Sequence, residues 1–94
     1  MRESRIERRL ASAVKTQGGL CLKLISPGWD GAPDRLVLLP RGRMAFVELK
    51  ASGKTLRPLQ RRRREQLERL GFRVFVVDGV EQIGGVLDEI VDPM

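Results

Sequence analysis

A mixed α/β sheet with helices packed on it is the fold this sequence predicts, from three observations. Three segments show helical apolar spacing, two adjacent apolar runs flank a short turn, and a β-branched, aromatic run follows directly after a helical stretch. The length of 94 residues fits one domain with a single core, expected to span residues 1–94.

From Glu3 to Gln17, Ile6, Leu10, Ala13 and Val14 recur at helical spacing, and Gly18 and Gly19 end the pattern. Leu20 to Ile25 is a short apolar run closed by Ser26, Pro27 and Gly28, as expected of a strand entering a loop. Leu36 to Leu39 and Met44 to Lys50 read as a hairpin joined by Pro40 to Arg43. Pro58 suits a first helical turn, Leu59, Leu67 and Leu70 supply a buried stripe, and Gly71 stops the helix. Phe72 to Val77 should then run parallel to the third strand, since it returns after a crossover helix. Asp78 is expected to cap a last helix that buries Ile83, Val86, Leu87 and Ile90. The order is thus αβββαβα, with three antiparallel strands and one parallel.

Composition excludes several chemistries. There is no histidine, hence no histidine base or ligand, and no tyrosine, hence no phosphotyrosine intermediate. The one cysteine, Cys21, rules out an internal disulfide and a cysteine-rich zinc site, and reads as a core thiol. No segment resembles a signal peptide or reaches the length of a membrane span, so a cytoplasmic location is expected. The net charge of +6 is segregated: Arg41 to Arg73 holds eleven basic and three acidic residues, whereas Asp78 to Met94 holds five acidic and no basic ones. Such segregation points to a polyanion, with nucleic acid the leading partner; a solvated basic helix is the bland alternative.

The hairpin carries the chemistry. With the turn centred between Arg41 and Gly42, Asp34 falls opposite residues 48 to 50, so Asp34 and Glu48 can meet. Alternation places Glu48 and Lys50 on one face and Val47 and Leu49 on the other. Buried acid and base on an apolar strand need compensation, which a simple Glu48–Lys50 ion pair or a divalent cation would supply. Two carboxylates with waters and a substrate phosphate suit Mg²⁺, and Lys50 would then orient or deprotonate a water or offset charge on the phosphate. Glu7 has no helical partner and is either a further contributor to that site or a surface residue. Gln60 lies near the start of the second helix, within reach of the site or simply as a helix residue. Arg61, Arg62, Arg63 and Arg64 sweep more than one helix face, so some should meet phosphates. Trp29, in its Gly/Pro-rich loop, is either a lid on the core or a stacking platform for a base.

Gly-Ala-Pro-Asp-Arg at 31–35, Phe-Val-Glu-Leu-Lys at 46–50 and Pro-Leu-Gln at 58–60 resemble the VRR-NUC domain of the PD-(D/E)xK nuclease superfamily. Ile-Glu-Arg-Arg-Leu around Glu7 and Gly-Gly-Leu-Cys-Leu-Lys-Leu at 18–24 fit the same pattern, so the resemblance spans nearly the whole chain. It implies a restriction-endonuclease-like fold and Mg²⁺- or Mn²⁺-dependent hydrolysis of DNA. Asp34, Glu48 and the Leu49 carbonyl would hold the metal, with Glu7 reaching it through water. Lys50 would handle the attacking water, and Gln60 would be the added glutamine of the family. Arg35, Lys54, Arg57, Arg61, Arg62, Arg63, Arg64 and Trp29 are the expected DNA contacts. Stand-alone domains of this kind resemble phage or prophage products, placing the chain in a bacterial host's cytoplasm, and resemble Holliday-junction resolvases that act as homodimers. Two competing expectations are a non-catalytic basic DNA-binding module and a monomeric flap or nicking nuclease.

Overall fold

The computed structural model describes residues 2–92. Helix α1 (Glu3–Thr16) buries Ile6, Leu10 and Val14, a stripe of three- and four-residue steps that fits one helix face. Strand β1 (Leu20–Lys23) leads through a long loop to β2 (Arg35–Leu39), which turns at residues 40–42 into β3 (Arg43–Leu49). Helix α2 (Pro58–Arg69) starts on the expected proline and ends at Gly71, whose φ of 96° only glycine adopts freely. Strand β4 (Val74–Val77) and helix α3 (Ile83–Val91) complete the chain.

The sheet order is β1-β2-β3-β4, antiparallel except for the parallel β3–β4 pair. The expected order of elements is therefore present. Because strand side chains alternate, the sheet has two unlike faces. Val37, Leu39, Ala45, Val47, Leu49 and Val77 face α1 and α3 and are almost fully buried with them. On the other face α2 covers only part of the sheet, with Leu67 and Val74 buried there.

Three details depart from the sequence reading. The turn is centred on Arg41, which takes φ 70°, so Leu39 pairs with Arg43; the centre lies half a residue before the one expected, which shifts every cross-strand pair by one residue. Leu70 is 73% exposed, because α2 ends before its stripe turns back to the sheet. Asp78 does not cap α3: a 3-10 turn at Val80–Gln82 intervenes, and Asp78 instead exchanges hydrogen bonds with Gln82, its N–H donating to Oε1 and its Oδ1 accepting from Nε2. At its other end α3 is closed by Arg73, whose guanidinium donates to the Glu89 and Ile90 carbonyls, a favourable place for a cation.

Leu10 is wholly buried at the centre of the α1 stripe. Leu10→Ala should lower the unfolding free energy by about 2–5 kcal/mol, read from the urea midpoint. A loss below about 1 kcal/mol would mean that α1 is not held by this core.

Candidate active site

β2 and β3 part at the end of the sheet opposite their hairpin turn. The last paired residues are Arg35 and Val47. Continuing the register sets Asp34 against Glu48 and Pro33 against Leu49. Proline has no N–H, so the Leu49 carbonyl finds no ladder donor opposite it. The Leu49 N–H is satisfied by a side chain instead: it donates to Asp34 Oδ2 at 2.9 Å. Asp34 is in turn fixed by its own carbonyl, which accepts from the Leu24 N–H at 2.9 Å.

Glu48 shares this corner, on the sheet face covered by α2, and is 2% exposed. Its Oε1 is buried with no hydrogen-bond partner among the described residues. Burial pushes its carboxyl up to about 8, helped by the Asp34 carboxylate within hydrogen-bonding reach and opposed by the Lys50 ammonium. The desolvated acid therefore holds a proton at neutral pH beside an acceptor-rich neighbour. Lys50, half-buried at the end of β3, keeps the strand in place by donating its N–H to the Val77 carbonyl at 2.9 Å. Asp34 and Glu48 thus lie side by side with Lys50 near enough to act on Glu48, the turn centred on Arg41 having selected Glu48 from residues 48 to 50 as the neighbour of Asp34.

The roof of the site is the loop between β1 and β2 docked on α2. Gly31, at φ 86°, lies so close to Leu59 that a Cβ there would sit 2.8 Å from Leu59 Cγ. Arg63 fastens the loop by donating Nε to the Asp30 carbonyl at 2.7 Å and by stacking its guanidinium 4.8 Å from the centre of the Trp29 ring. Trp29 is accordingly half-buried with one face taken by Arg63, closer to a lid than to an open platform.

Other expected residues lie elsewhere. Glu7 is ion-paired with Arg35, and strand alternation puts Arg35 on the α1 face, across the sheet from Glu48. The Cys21 thiol lies among them, packed against the core, where burial raises its pKa more than Arg35 lowers it. Among the described residues no group of three or more acidic, cysteine or histidine side chains is arranged to hold a metal, so protein side chains at the corner number two carboxylates. Gln60 Oε1 accepts from the Arg57 N–H at 2.9 Å, which caps the start of α2. Arg64 is engaged with Glu68 at 3.4 Å and Arg61 with the Leu56 carbonyl, whereas Lys54, Arg57 and Arg62 are exposed. The role of Arg63 in holding the loop was hidden from sequence reading, because its partners lie 33 and 34 positions away.

The family model of the VRR-NUC domain matches residues 4–81, which include every element of this corner. The chain belongs to the VRR-NUC family. It is 47% identical over 78 residues to the protein named Putative nuclease p44 of Acyrthosiphon pisum secondary endosymbiont phage 1, covering 83% of this chain and 84% of that one. A solved VRR-NUC domain superposes with a TM-score of 0.85 at 37% identity, over 92% of this chain and 94% of its own. No helix among the described residues is long and apolar enough to cross a membrane.

The raised Glu48 carboxyl makes stability depend on pH in a definite direction. Between about 4.5, where an unfolded glutamate ionises, and about 8, the folded chain binds the extra proton. In EDTA the contribution is full below the lower value and is lost as pH rises through the upper one, at up to about 1.4 kcal/mol per pH unit. Glu48→Gln should flatten this fall and be the more stable protein at pH 8, as measured by urea titrations across pH; superimposable profiles would refute the buried, protonated Glu48.

Proposed function

We propose that this VRR-NUC domain is a Mg²⁺-dependent DNA endonuclease whose metal is held by Asp34, Glu48 and the Leu49 carbonyl. The observation carrying this reading is the buried Glu48 Oε1, without a hydrogen-bond partner among the described residues, beside a second carboxylate and the Leu49 carbonyl, opposite which Pro33 offers no N–H. Hard oxygen donors of this kind, their shell completed by water and a substrate phosphate, fit Mg²⁺ or Mn²⁺. A divalent cation bound there supplies positive charge that polarises a phosphoryl oxygen.

The remaining work belongs to this chain's own groups. Asp34, tethered through the Leu49 N–H, keeps one oxygen fixed and the other available. Without histidine or tyrosine, Lys50 is the polar side chain placed to orient the attacking water or offset charge on the phosphate. Lys54, Arg57 and Arg62, exposed around the start of α2, are positioned to meet the DNA backbone, and Arg61 and Arg64 need only exchange surface contacts to join them. Arg63 and Trp29 act by holding the roof, Gln60 by capping α2, and Glu7 by fixing Arg35 behind the site. Symmetric cutting of a branched substrate such as a four-way junction requires two such sites, hence a homodimer. The bacterial cytoplasm is the setting in which a phage-type enzyme would meet that DNA.

Cleavage of labelled four-way-junction, flap and linear duplex DNA should require Mg²⁺ or Mn²⁺, stop in EDTA and fall at least about a hundredfold in Asp34→Asn and Lys50→Ala with binding retained. Paired cuts would mark the junction as substrate. Binding without cutting under every condition would sink the catalytic assignment and leave a basic DNA-binding module. Calorimetry of Mn²⁺ binding at pH 7 in buffers of different ionisation enthalpy should register release of about one proton, displaced from Glu48, and none in Glu48→Gln.

A further inference from the structure

Helix α1 carries a basic surface that the active corner does not use. Ile6 and Leu10 face the core, and Arg5, Arg8 and Arg9, on the other side of the same turns, are exposed around an open hollow of about 420 Å³. None of the three is ion-paired among the described residues, and no acid stands three or four positions from any of them. Their placement works against the helix. Arg5 repels Arg8 and Arg9 at steps of three and four, and all three lie in the N-terminal half, where the helix dipole disfavours cations. Nothing inside the chain offsets this repulsion; an external polyanion would. The hollow lies at the same end of the sheet as Asp34 and Glu48. Glu7, next to Arg8, is paired with Arg35, the neighbour of Asp34, and Lys23, exposed opposite Arg35, points to the same side of the sheet. Helix α3, packed against α1, presents Asp88 and Glu89, which would turn a polyanion back toward α1.

We propose that this outer face of α1, centred on Arg5, Arg8 and Arg9 with Lys23 beside them, holds the phosphate backbone of a second DNA segment, an arm other than the one lying along the start of α2. The assignment rests on the nuclease reading for the identity of the polyanion. The contact itself rests on charge and spacing. Guanidinium forks bind phosphate oxygens two at a time, and side chains three or four residues apart on a helix stand about 5–6 Å from each other, so the three converge on neighbouring phosphates of one strand. Geometry sets the class of DNA. Lys54, Arg57 and Arg62 stand on the opposite layer, separated from this surface by the sheet and by the ~10 Å width of α1. A duplex is stiff over about 150 bp, so a straight one seated at the start of α2 does not also wrap onto α1. A branch point or sharp kink at the corner sends one arm to each layer.

Fluorescence anisotropy of a labelled four-way junction and of a linear duplex, read in EDTA at several salt concentrations, tests the proposal. The wild type should bind the junction more tightly than the duplex. Arg5→Gln/Arg9→Gln should weaken junction binding about tenfold at ~0.1 M salt, lower the slope of log affinity against log salt by about two, and leave duplex binding within about twofold. Its thermal midpoint should equal or exceed that of the wild type, because two mutually repelling cations are gone. Arg41→Asn/Arg69→Gln, which removes the same charge from the hairpin turn and the far end of α2, is the control and should keep junction affinity within about twofold. Equal junction affinity of the wild type and the α1 variant, an equal loss on the duplex, or an equal loss in the control would overturn the assignment, as would Arg5- and Arg9-dependent binding of anionic lipid vesicles in place of DNA. Cutting separates this from the nuclease reading. An α1 variant that cuts linear duplex in Mg²⁺ at the wild-type rate but has lost its preference for the junction supports both, while α1-dependent junction binding by a wild type that cuts nothing keeps the surface and removes the nuclease.

Discussion

Glu48 is an acid shut into an apolar wall, and the structure around it is arranged by that fact. An isolated carboxylate there would cost several kcal/mol, so the group keeps its proton until about pH 8 or exchanges it for a cation. Neither solution works without neighbours in fixed places. Asp34 must stand beside it, and the bond from the Leu49 N–H holds it there. Lys50 must follow two residues later on the same face, which the strand period guarantees. Pro33 must interrupt the ladder, since a residue with an N–H would tie up the Leu49 carbonyl. The same buried acid that lowers stability at high pH is therefore the group that the proposed hard cation would relieve.

The division of the sheet explains how a small chain tolerates this. Its stability is concentrated on one face, where α1 and α3 enclose Val37, Ala45, Val47 and Leu49 almost completely. The opposite face is then free of that duty and carries the acids, the docked loop and α2. The cation–π stack of Arg63 on Trp29 and the close approach of Gly31 to Leu59 hold the roof without a large hydrophobic core of its own. One arginine of the four-residue run is thus structural, and the run is better understood as a helix face with one inward member than as a uniform basic strip.

Much of this was legible in the residues, for reasons that can be stated. Helix α1 and strands β2 and β3 announce themselves because local periodicity decides which side chains are buried, and the hairpin's short turn fixes its register to within one residue. That narrows the partners of Asp34 to residues 48 to 50, and the observed turn centre at Arg41 selects Glu48. What was not legible depends on contacts between distant segments. Nothing near Glu7 reveals that Arg35 will claim it from across the helix–sheet interface, and nothing near Gln60 distinguishes a cap from a ligand. Leu70 fits its stripe by spacing, yet the helix ends first. Asp78 looks like a cap by type and position, and the 3-10 turn diverts it to Gln82.

The placement of Glu7 bears on how the site is controlled. Its ion pair holds Arg35, the residue directly after Asp34, from the far side of the sheet. Successive strand residues point in opposite directions, so a force on Arg35 acts on the same backbone that sets Asp34. Helix α1 is thereby tied to the Asp34–Glu48 corner from the other side of the sheet, and the glutamate that the family resemblance offers to a metal is paired with the strand that carries Asp34. The two faces of the sheet, one closed by α1 and α3 and one carrying the acidic pair, are joined at residues 34 and 35.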